Sequence, residues 1–329
     1  MLHRRWLDEG TRATAGRDAR VLGAVVFSAA DCAVDGALSL RVPLEVLDAE
    51  RSCVDLWTGA TSVHNTRSGT MEMATDGRRL FGFVRVDEAA AGGIRAAAVQ
   101  AYAAIFAALE RSPCPHPLRF WNYVPHINEA LDGLERYRHF NIGRQEAFLA
   151  AHRSAFAGAP AACAIGDCAS ALTVYFIAAA EAPVALENPR QVSAYHYPPE
   201  YGPRSPTFSR ASLSAGKEPT LFVSGTASIV GHRSEHPGDP VAQTRETFAN
   251  LSALVESANA HVASARFALD RLVYTVYLRD PADLASVREQ FLVEVGRDSA
   301  AARLAVFLRG DVCRSELLVE IEAVGRATL

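Results

Sequence analysis

The stretch from Tyr195 to Arg210, YHYPPEYGPRSPTFSR, concentrates side chains that are suited to binding a carboxylate. It holds three tyrosines, two arginines and four prolines in sixteen residues. Because proline fixes φ and removes a backbone donor, we expect a stiff loop rather than a helix or a central strand. Arg204 and Arg210 supply planar guanidinium groups that match a carboxylate, while Tyr195, Tyr197 and Tyr201 supply hydroxyls on rigid rings. A proline-braced connector whose tyrosines pack on a core would have the same composition.

Glu320 and Glu322, in LLVEIEAV, are the candidates for acid chemistry. Both lie in a strand-like run flanked by apolar residues, and burial raises the pKa of a carboxyl group until it can act as a general acid near neutral pH. Residues two apart in a strand point to the same face, so alternation does not choose between them. The alternative is that both lie at the end of a half-solvated strand.

The composition indicates an ordinary globular protein of two or three domains in 329 residues. The net charge of −4 and the absence of a Lys/Arg run argue against a nucleic-acid partner. MLHRRWLDEG lacks the apolar segment of a signal peptide, and the apolar run at 169–184 is too short and interrupted to span a bilayer. The six cysteines show no CxxC spacing, so we expect reduced thiols, no metal site and a cytoplasmic protein without a membrane partner.

The elements that must position these residues occur in an order that repeats. Helix, strand, helix and two strands are predicted over about 94–180 and again over about 239–324, with AYAAIFAALE matching TFANLSALVE and LTVYFIAA matching LLVEIEAV. A period of about 145 residues indicates duplicated domains rather than a solenoid. The proline loop joins the two copies, so a cleft between them should run beside it.

We therefore predict four parts of the chain. They are a β-rich N-terminal segment (1–75), a first copy (76–190), the Tyr/Pro/Arg loop (191–218) and a second copy (219–329). Within the first part, residues 64–77 are predicted to be a loop.

Residues 221–324 resemble one subunit of the RidA/YjgF proteins through FVSG, AQTRETFANLSALVESA, VYTVYLRDPADLASVREQF and VEIEA. Those small subunits form trimers whose ligand pockets lie between neighbours. The resemblance implies an α+β fold of duplicated RidA/YjgF-like (chorismate-mutase-like α/β) domains. The two copies and the N-terminal β-rich segment would then form a pseudo-trimeric arrangement within one chain.

A second resemblance covers nearly the whole chain. RFWNYVPHIN, YRHFNIGRQEAF, SAYHYPPEYGPRSPTFSRA, FVSGTASIVGH and GDVCRSELLVEIEA, in this order, are similar to the chorismatase (chorismate hydrolase) family. The resemblance implies cleavage of the small molecule chorismate to pyruvate plus a hydroxybenzoate or a cyclohexadiene diol acid. It implies no metal or organic cofactor, and a role in secondary metabolism.

The resemblance also assigns roles at the reacting end of the substrate. It favours Glu320 over Glu322 as the acid that protonates the enol ether methylene. It implicates Cys313 in forming an aromatic product, and it places Gln191 and Ala227 beside the ring. Cys313 and Gln191 favour 3-hydroxybenzoate, while 4-hydroxybenzoate and trans-3,4-dihydroxycyclohexa-1,5-diene carboxylate stay open.

A substrate with two carboxylates needs at least two cationic groups and walls for its ring. Arg204 and Arg210 meet the first need, and Arg144, expected just before a helix where Gly143 allows close approach, is the third candidate. Tyr195 and Tyr201 are expected to border the ring.

Two other functions compete with this interpretation. A RidA-type imine deaminase would need an arginine before VEIEA, for which Arg303 and Arg309 are candidates, and a non-catalytic metabolite-binding protein would need no acid. Because a fused internal repeat can satisfy its own interfaces, we expect a monomer.

Overall fold

The computed structural model describes residues 1–8, 13–14, 19–27, 34–42, 44–47, 51–216, 218–263 and 265–328. Cys32 and Lys217 lie outside these ranges. None of the described helices is long and apolar enough to cross a membrane.

The described part of the N-terminal segment contains six short strands, and four of them form one sheet. The strands are β1 (Leu2–Asp8), β2 (Ala13–Thr14), β3 (Val21–Phe27), β4 (Val34–Asp35), β5 (Ser39–Val42) and β6 (Arg51–Thr58). The sheet has the order β1-β6-β3-β5, and β2 pairs with β4 separately. All seven residues of β3 are buried, as expected for an apolar strand that is covered on both faces.

The first copy combines one sheet with helices on one face. Its elements are β7 (His64–Ser68), β8 (Met71–Thr75), β9 (Arg79–Asp87), α1 (Glu88–Ala91), α2 (Ile94–Glu110), β10 (His116–Pro125), β11 (Ala130–Leu131), β12 (Leu134–Glu135), α3 (Arg136–Ala150), β13 (Ala161–Asp167) and β14 (Ala171–Ala179). The alanine-rich α2 buries one face on the sheet and packs against α3.

The prediction of a loop at 64–77 is wrong, because β7 and β8 form a hairpin there. All five residues of β7 are exposed, so this edge strand has no apolar face and the sequence shows no alternation. The hairpin belongs to the sheet of the first copy, which therefore begins before the predicted boundary at residue 76.

The second copy has the same construction. Its elements are β15 (Val184–Leu186), β16 (Ala211–Ser214), β17 (Thr220–Ala227), β18 (Ile229–Val230), β19 (Arg233–Ser234), α4 (Pro240–Asn259), β20 (Val273–Leu278), α5 (Leu284–Val295), α6 (Ala300–Leu304), β21 (Val306–Arg309), β22 (Asp311–Val312) and β23 (Val319–Arg326). As predicted, Asp239 caps α4, since its carboxylate accepts a hydrogen bond from the amide of Ala242 at 2.9 Å.

The predicted duplication is confirmed by strand order. The first sheet contains β8-β9-β14-β10-β13 and the second contains β16-β17-β23-β20-β21. In each copy the last two strands of that order are parallel and the other neighbours are antiparallel. The sheet of the first copy is extended by β22, which the second copy contributes.

Three sheets share one apolar interior, which is the pseudo-trimeric arrangement that we expected. The shared core joins Phe27 of the N-terminal sheet, Trp121 of the first copy and Phe222 of the second. A buried ion pair links adjacent strands of the N-terminal sheet, with Arg4 Nε 2.7 Å from Asp55 Oδ1, and Arg4 Nη2 also donates to Thr275 Oγ1 of the second copy at 2.8 Å.

Candidate active site

A cavity of about 60 Å³ lies between the two copies, beside the Tyr/Pro/Arg loop. Its walls come from the start of α3, the loop, β17 and β18, and the segment from β22 to β23. The lining residues are Glu135, Tyr137, Arg138, Tyr197, Tyr201, Pro206, Phe208, Arg210, Gly225, Ala227, Ile229, Cys313, Arg314, Leu317 and Glu320.

The strand β23 carries the acidic pair, and its two faces have different neighbours. Ile321 and Ala323 pack in the core of the second copy, under its helices. Glu320 and Glu322 therefore point to the opposite face, into the space between the sheets, where both are buried.

Room for the Glu320 carboxyl comes from Gly225 on the neighbouring strand. The register of β17 against β23 shifts between Val223 and Thr226, which is a bulge at this glycine. A Cβ at Gly225 would lie 2.7 Å from Glu320 Cδ and nearer still to its Oε1, so a larger residue would displace the carboxyl.

The environment of Glu320 favours the protonated acid. Its pKa is raised from 4.5 to about 8: burial is the largest cause, the charge of Glu322 adds to it, and Arg119 opposes both effects. None of the described residues donates a hydrogen bond that would stabilise its carboxylate. At neutral pH Glu320 therefore holds a proton in a cavity, which is the requirement for a general acid.

Glu322 has a different environment, because both of its oxygens are held. Arg119 Nη2 donates to Oε2 at 2.6 Å, and Trp121 Nε1 donates to Oε1 at 2.9 Å. Glu322 does not line the cavity. The geometry therefore favours Glu320 over Glu322 as the group that can reach a ligand.

Cys313 and Tyr137 line the cavity near Glu320. Burial and the neighbouring Glu320 raise the pKa of the Cys313 thiol to about 12. Burial, and then the neighbouring Cys313, raise the pKa of Tyr137 well above 10. Both groups are therefore neutral proton carriers at neutral pH, and neither is a nucleophile in this state.

The loop closes the cavity with two tyrosines, each packed on an arginine. The guanidinium of Arg314 lies 4.0 Å from the ring centroid of Tyr201 and 5.0 Å from that of Tyr197. Arg210 Nη2 donates to Val192 O at 2.7 Å and to Tyr197 Oη at 2.8 Å. The prolines and two short 3₁₀ turns, Ala194–His196 and Pro199–Tyr201, hold this arrangement, so the loop is irregular as predicted.

Five of the predicted site residues meet at this cavity. They are Glu320, Cys313, Arg210, Tyr201 and Ala227. They are spread between positions 201 and 320 of the sequence. The folded loop, the adjacent strands β17 and β23, and the segment before β23 bring them together.

Arg144 is not in the place that the sequence predicted. It lies inside α3 rather than before it, buried among aromatic rings 5.1 Å from Tyr102 and 5.5 Å from Phe148. Gly143 serves the packing of helices, because a Cβ there would collide with the carbonyl oxygen of Arg95. Arg144 does not line the cavity, although its Nε and Nη2 have no hydrogen-bond partner among the described residues.

Three other predicted residues also lie outside the lining. Arg204 is exposed. Tyr195 packs its ring against His196 at 4.7 Å. Gln191 donates through Nε2 to the carbonyl oxygen of Ile229 at 3.0 Å, so it supports the cavity wall from behind.

Arg314 is the main residue that the sequence analysis missed. It is nine-tenths buried, donates through Nη1 to His232 O at 2.9 Å, and has no partner for Nη2 among the described residues. The available signal was its position directly after Cys313 in GDVCRSELLVEIEA.

The arginines that a deaminase would need lie elsewhere. Arg303 donates to the carbonyl oxygen of Asp298, and Arg309 lies 3.6 Å from Glu45 on the surface.

A larger groove of about 760 Å³ runs along the edge near Arg326, where that residue pairs with Glu218 at 2.7 Å. It contains none of the predicted site residues. Within the described ranges, no three His, Cys, Asp or Glu side chains are placed to hold a metal ion.

Comparisons with known proteins agree with this architecture. A family model described as the N-terminal domain of FkbO/Hyg5-like chorismatases matches residues 55–178. The chain is 39% identical over 281 residues to a 3-hydroxybenzoate synthase of Streptomyces hygroscopicus, covering 82% of this chain and 80% of the relative. It is 41% identical over 254 residues to a chorismatase of Streptomyces rapamycinicus, covering 74% of each.

A crystal structure of a chorismatase superposes with a TM-score of 0.86 at 30% identity, over 99% of this chain and 98% of the other. The fold is therefore that of a chorismatase along its whole length. The chain belongs to the chorismatase family, as the sequence predicted.

Proposed function

We propose that this protein is an enzyme that cleaves the enolpyruvyl ether of chorismate and releases pyruvate, with 3-hydroxybenzoate as the favoured co-product. The observation that carries the proposal is the buried carboxyl of Glu320, whose pKa of about 8 leaves it protonated beside a cavity that contains arginines. Protonation of an enol ether carbon needs an acid of this kind.

The charge of the cavity fits a substrate with two carboxylates. Arg210 and Arg314 are cationic, whereas Glu320 and Cys313 are neutral at pH 7 because their pKa values are raised. Arg138 also lines the cavity, but Glu135, 3.5 Å from it in the same wall, offsets its charge. Planar guanidinium groups bind carboxylates through paired hydrogen bonds, and the rings of the loop supply apolar walls.

Substrate access requires the loop to move. The cavity volume of about 60 Å³ is well below the roughly 300–1,000 Å³ that is usual for ligand sites. The ring of Tyr201 on Arg314 is the wall that must open, and Arg204 and Tyr195 belong to the same loop. Arg204 and Tyr195 therefore remain proposed substrate-binding residues for the open loop.

The proposed reaction begins with transfer of the Glu320 proton to the methylene carbon of the enol ether. The C=C bond supplies the electron pair for the new C–H bond, and the adjacent carbon becomes an oxocarbenium ion. The Glu320 carboxylate that remains stabilises the positive charge in this interior. In the diol route water adds to this carbon and gives a proton to the Glu320 carboxylate, and pyruvate leaves when the bond from this carbon to the ether oxygen breaks. In the 3-hydroxybenzoate route the ring hydroxyl adds instead, with the same return of a proton to Glu320. The bond from that hydroxyl oxygen to the ring then breaks, the oxygen leaves in pyruvate, and the ring carbon that keeps the ether oxygen loses its proton to give the aromatic ring.

The two candidate products differ in their use of water. Chorismate has the same atoms as 3-hydroxybenzoate plus pyruvate, so that route consumes no water. The diol route, to trans-3,4-dihydroxycyclohexa-1,5-diene carboxylate, consumes one. Cys313 lies in the cavity wall as a neutral thiol that can relay a proton during aromatisation, taking up the ring proton as it gives its own to a base, which supports the first route. A relative 39% identical is named a 3-hydroxybenzoate synthase, which supports it further.

Pyruvate release tests the proposal directly. Purified protein and chorismate are coupled to lactate dehydrogenase, and NADH consumption is followed against a blank without enzyme. The products are separated beside standards of 3-hydroxybenzoate, 4-hydroxybenzoate and the diol acid. Pyruvate in equal amount to 3-hydroxybenzoate is the expected result; no pyruvate above the blank contradicts the activity, and the diol alone contradicts the product.

We also propose that the protein works as a monomer in the cytoplasm. The cavity is built from one chain, and the five described cysteines are free, which suits a reducing compartment. Sedimentation should give the mass of one 35.4 kDa chain. A dimer mass, or recovery of the protein from the membrane or secreted fraction, would contradict these assignments.

A further inference from the structure

Both carboxylate oxygens of the buried Glu322 are engaged in hydrogen bonds. Each of its oxygens accepts a hydrogen bond from the first copy, one from Arg119 and one from Trp121. The Arg119 side chain is 0% exposed and that of Glu322 is 6% exposed, and the Arg119 guanidinium lies 4.6 Å from the Trp121 ring centroid. A buried ion pair adds little stability compared with apolar residues of the same volume, so stability alone does not explain it.

The position of this pair relative to Glu320 suggests an electrostatic role. Glu320 and Glu322 are two residues apart on β23 and share its interior face. A like charge nearby disfavours ionisation of a carboxyl group, and an opposite charge favours it. At Glu320 the effect of Glu322 exceeds that of Arg119, so the ion pair as a whole favours the acid.

We propose that Glu322 is a positioning residue of the acid site, whose negative charge, fixed by Arg119 and Trp121, keeps Glu320 protonated. This inference rests on the proposed function, because it explains how the proposed acid keeps its proton at neutral pH. Arg119 holds the Glu322 side chain in place. Its positive charge keeps Glu322 ionised, so that the proton stays on Glu320.

Other groups face Glu320 from the elements packed around it, and they must be considered in any titration. Four are neutral at pH 7, because burial raises the pKa of the thiols and phenols above the neutral range. They are Cys163 on β13, Tyr277 on β20, Tyr137 on α3 and Cys313 before β23. The charged groups are Arg314 before β23, Arg210 on the loop, and Arg138 on α3 with Glu135 3.5 Å from it.

Removing the charge of Glu322 and removing the charge of Arg119 should shift the pKa of Glu320 in opposite directions. Glu322→Gln removes the negative charge and leaves Arg119, so the pKa of Glu320 should fall by about 1 unit or more. The alkaline limb of the kcat/KM profile should move to lower pH by the same amount, with activity recovered on acidification. Arg119→Met removes the positive charge, so its limb should move to higher pH.

Trp121→Phe is the matched control, because it removes one hydrogen bond to Glu322 and keeps both charges. Its limb should stay in place. Circular dichroism and thermal melts establish that each variant is folded; if Glu322→Gln does not fold, the direction of the Arg119→Met shift decides. A limb that does not move to lower pH in Glu322→Gln, or that does not move to higher pH in Arg119→Met, overturns the inference and leaves a structural ion pair.

A titration without substrate separates this inference from the proposed function. The infrared band of the protonated Glu320 carboxyl, assigned by difference against Glu320→Gln, is followed with pH in the wild type and in Glu322→Gln. A band that titrates at lower pH in the variant supports the inference even if no pyruvate is released. An unchanged band overturns it even if the enzyme is active.

Discussion

Replacing Gly225, in the cavity wall, with alanine should lower activity about 100-fold by displacing the Glu320 carboxyl. The new Cβ would lie 2.7 Å from Glu320 Cδ and 3.0 Å from Cys163 Cβ, whereas ordinary carbon contacts are about 3.5–4.0 Å. The Glu320 carboxyl must therefore move by about 1 Å. A displacement of that size can cost about 100-fold in rate, which corresponds to about 2.7 kcal/mol of transition-state stabilisation.

Gly82→Ala is the control for this variant. Gly82 lies on β9, the counterpart of β17 in the first copy, and a Cβ there would lie 2.7 Å from Phe176 Cζ in the core. Both variants should lose about 1–3 kcal/mol of stability from overpacking, measured by urea unfolding. Only Gly225→Ala should lose kcat in the pyruvate assay at 25 °C. A Gly225→Ala enzyme with nearly normal kcat, or equal losses in the two variants, would refute the placement of Glu320.

Three further predictions follow from the same geometry. The kcat/KM for pyruvate release should fall as the pH rises through about 8, because Glu320 then loses the proton that it must donate; a rate that rises across this range would contradict it. Arg314→Gln should lower kcat/KM by about 10- to 100-fold through the loss of a charged hydrogen bond, whereas Arg204→Ala, on the exposed part of the loop, should change it less; the reverse order would contradict the cavity. Asp55→Asn should lower the free energy of unfolding by about 3 kcal/mol, because it leaves the buried Arg4 without its carboxylate, and a urea midpoint like that of the wild type would contradict this.

The sequence predicted the parts of the fold whose residues alternate or repeat clearly. The matched helices α2 and α4, and the matched strands β14 and β23, revealed the duplication because both copies keep an apolar face. The strand β7 was missed because all five of its residues are exposed, so only its pairing with β8 defines it.

The site was predicted less completely, for a physical reason. Periodicity placed Glu320 and Glu322 on one face, but it could not show that Arg119, 203 positions away, holds one of them. Arg144 was expected at a helix start, yet the helix begins at Arg136, eight residues earlier, and this turns Arg144 into the aromatic core. Contacts between distant elements decide such cases. The roles of the remaining site residues stay predictions.

The most direct test of the central claim is the turnover of Glu320→Gln, compared with Glu322→Gln at a pH where each is most active. Calorimetry with chorismate first establishes that Glu320→Gln still binds, since glutamine keeps the shape of the side chain and removes only its acidic proton. Single-turnover pyruvate release should then be at least about 100-fold slower than in the wild type. Nearly normal pyruvate release by Glu320→Gln would contradict the assignment of Glu320 as the acid. A larger loss of turnover in Glu322→Gln that is not recovered at lower pH would contradict it as well.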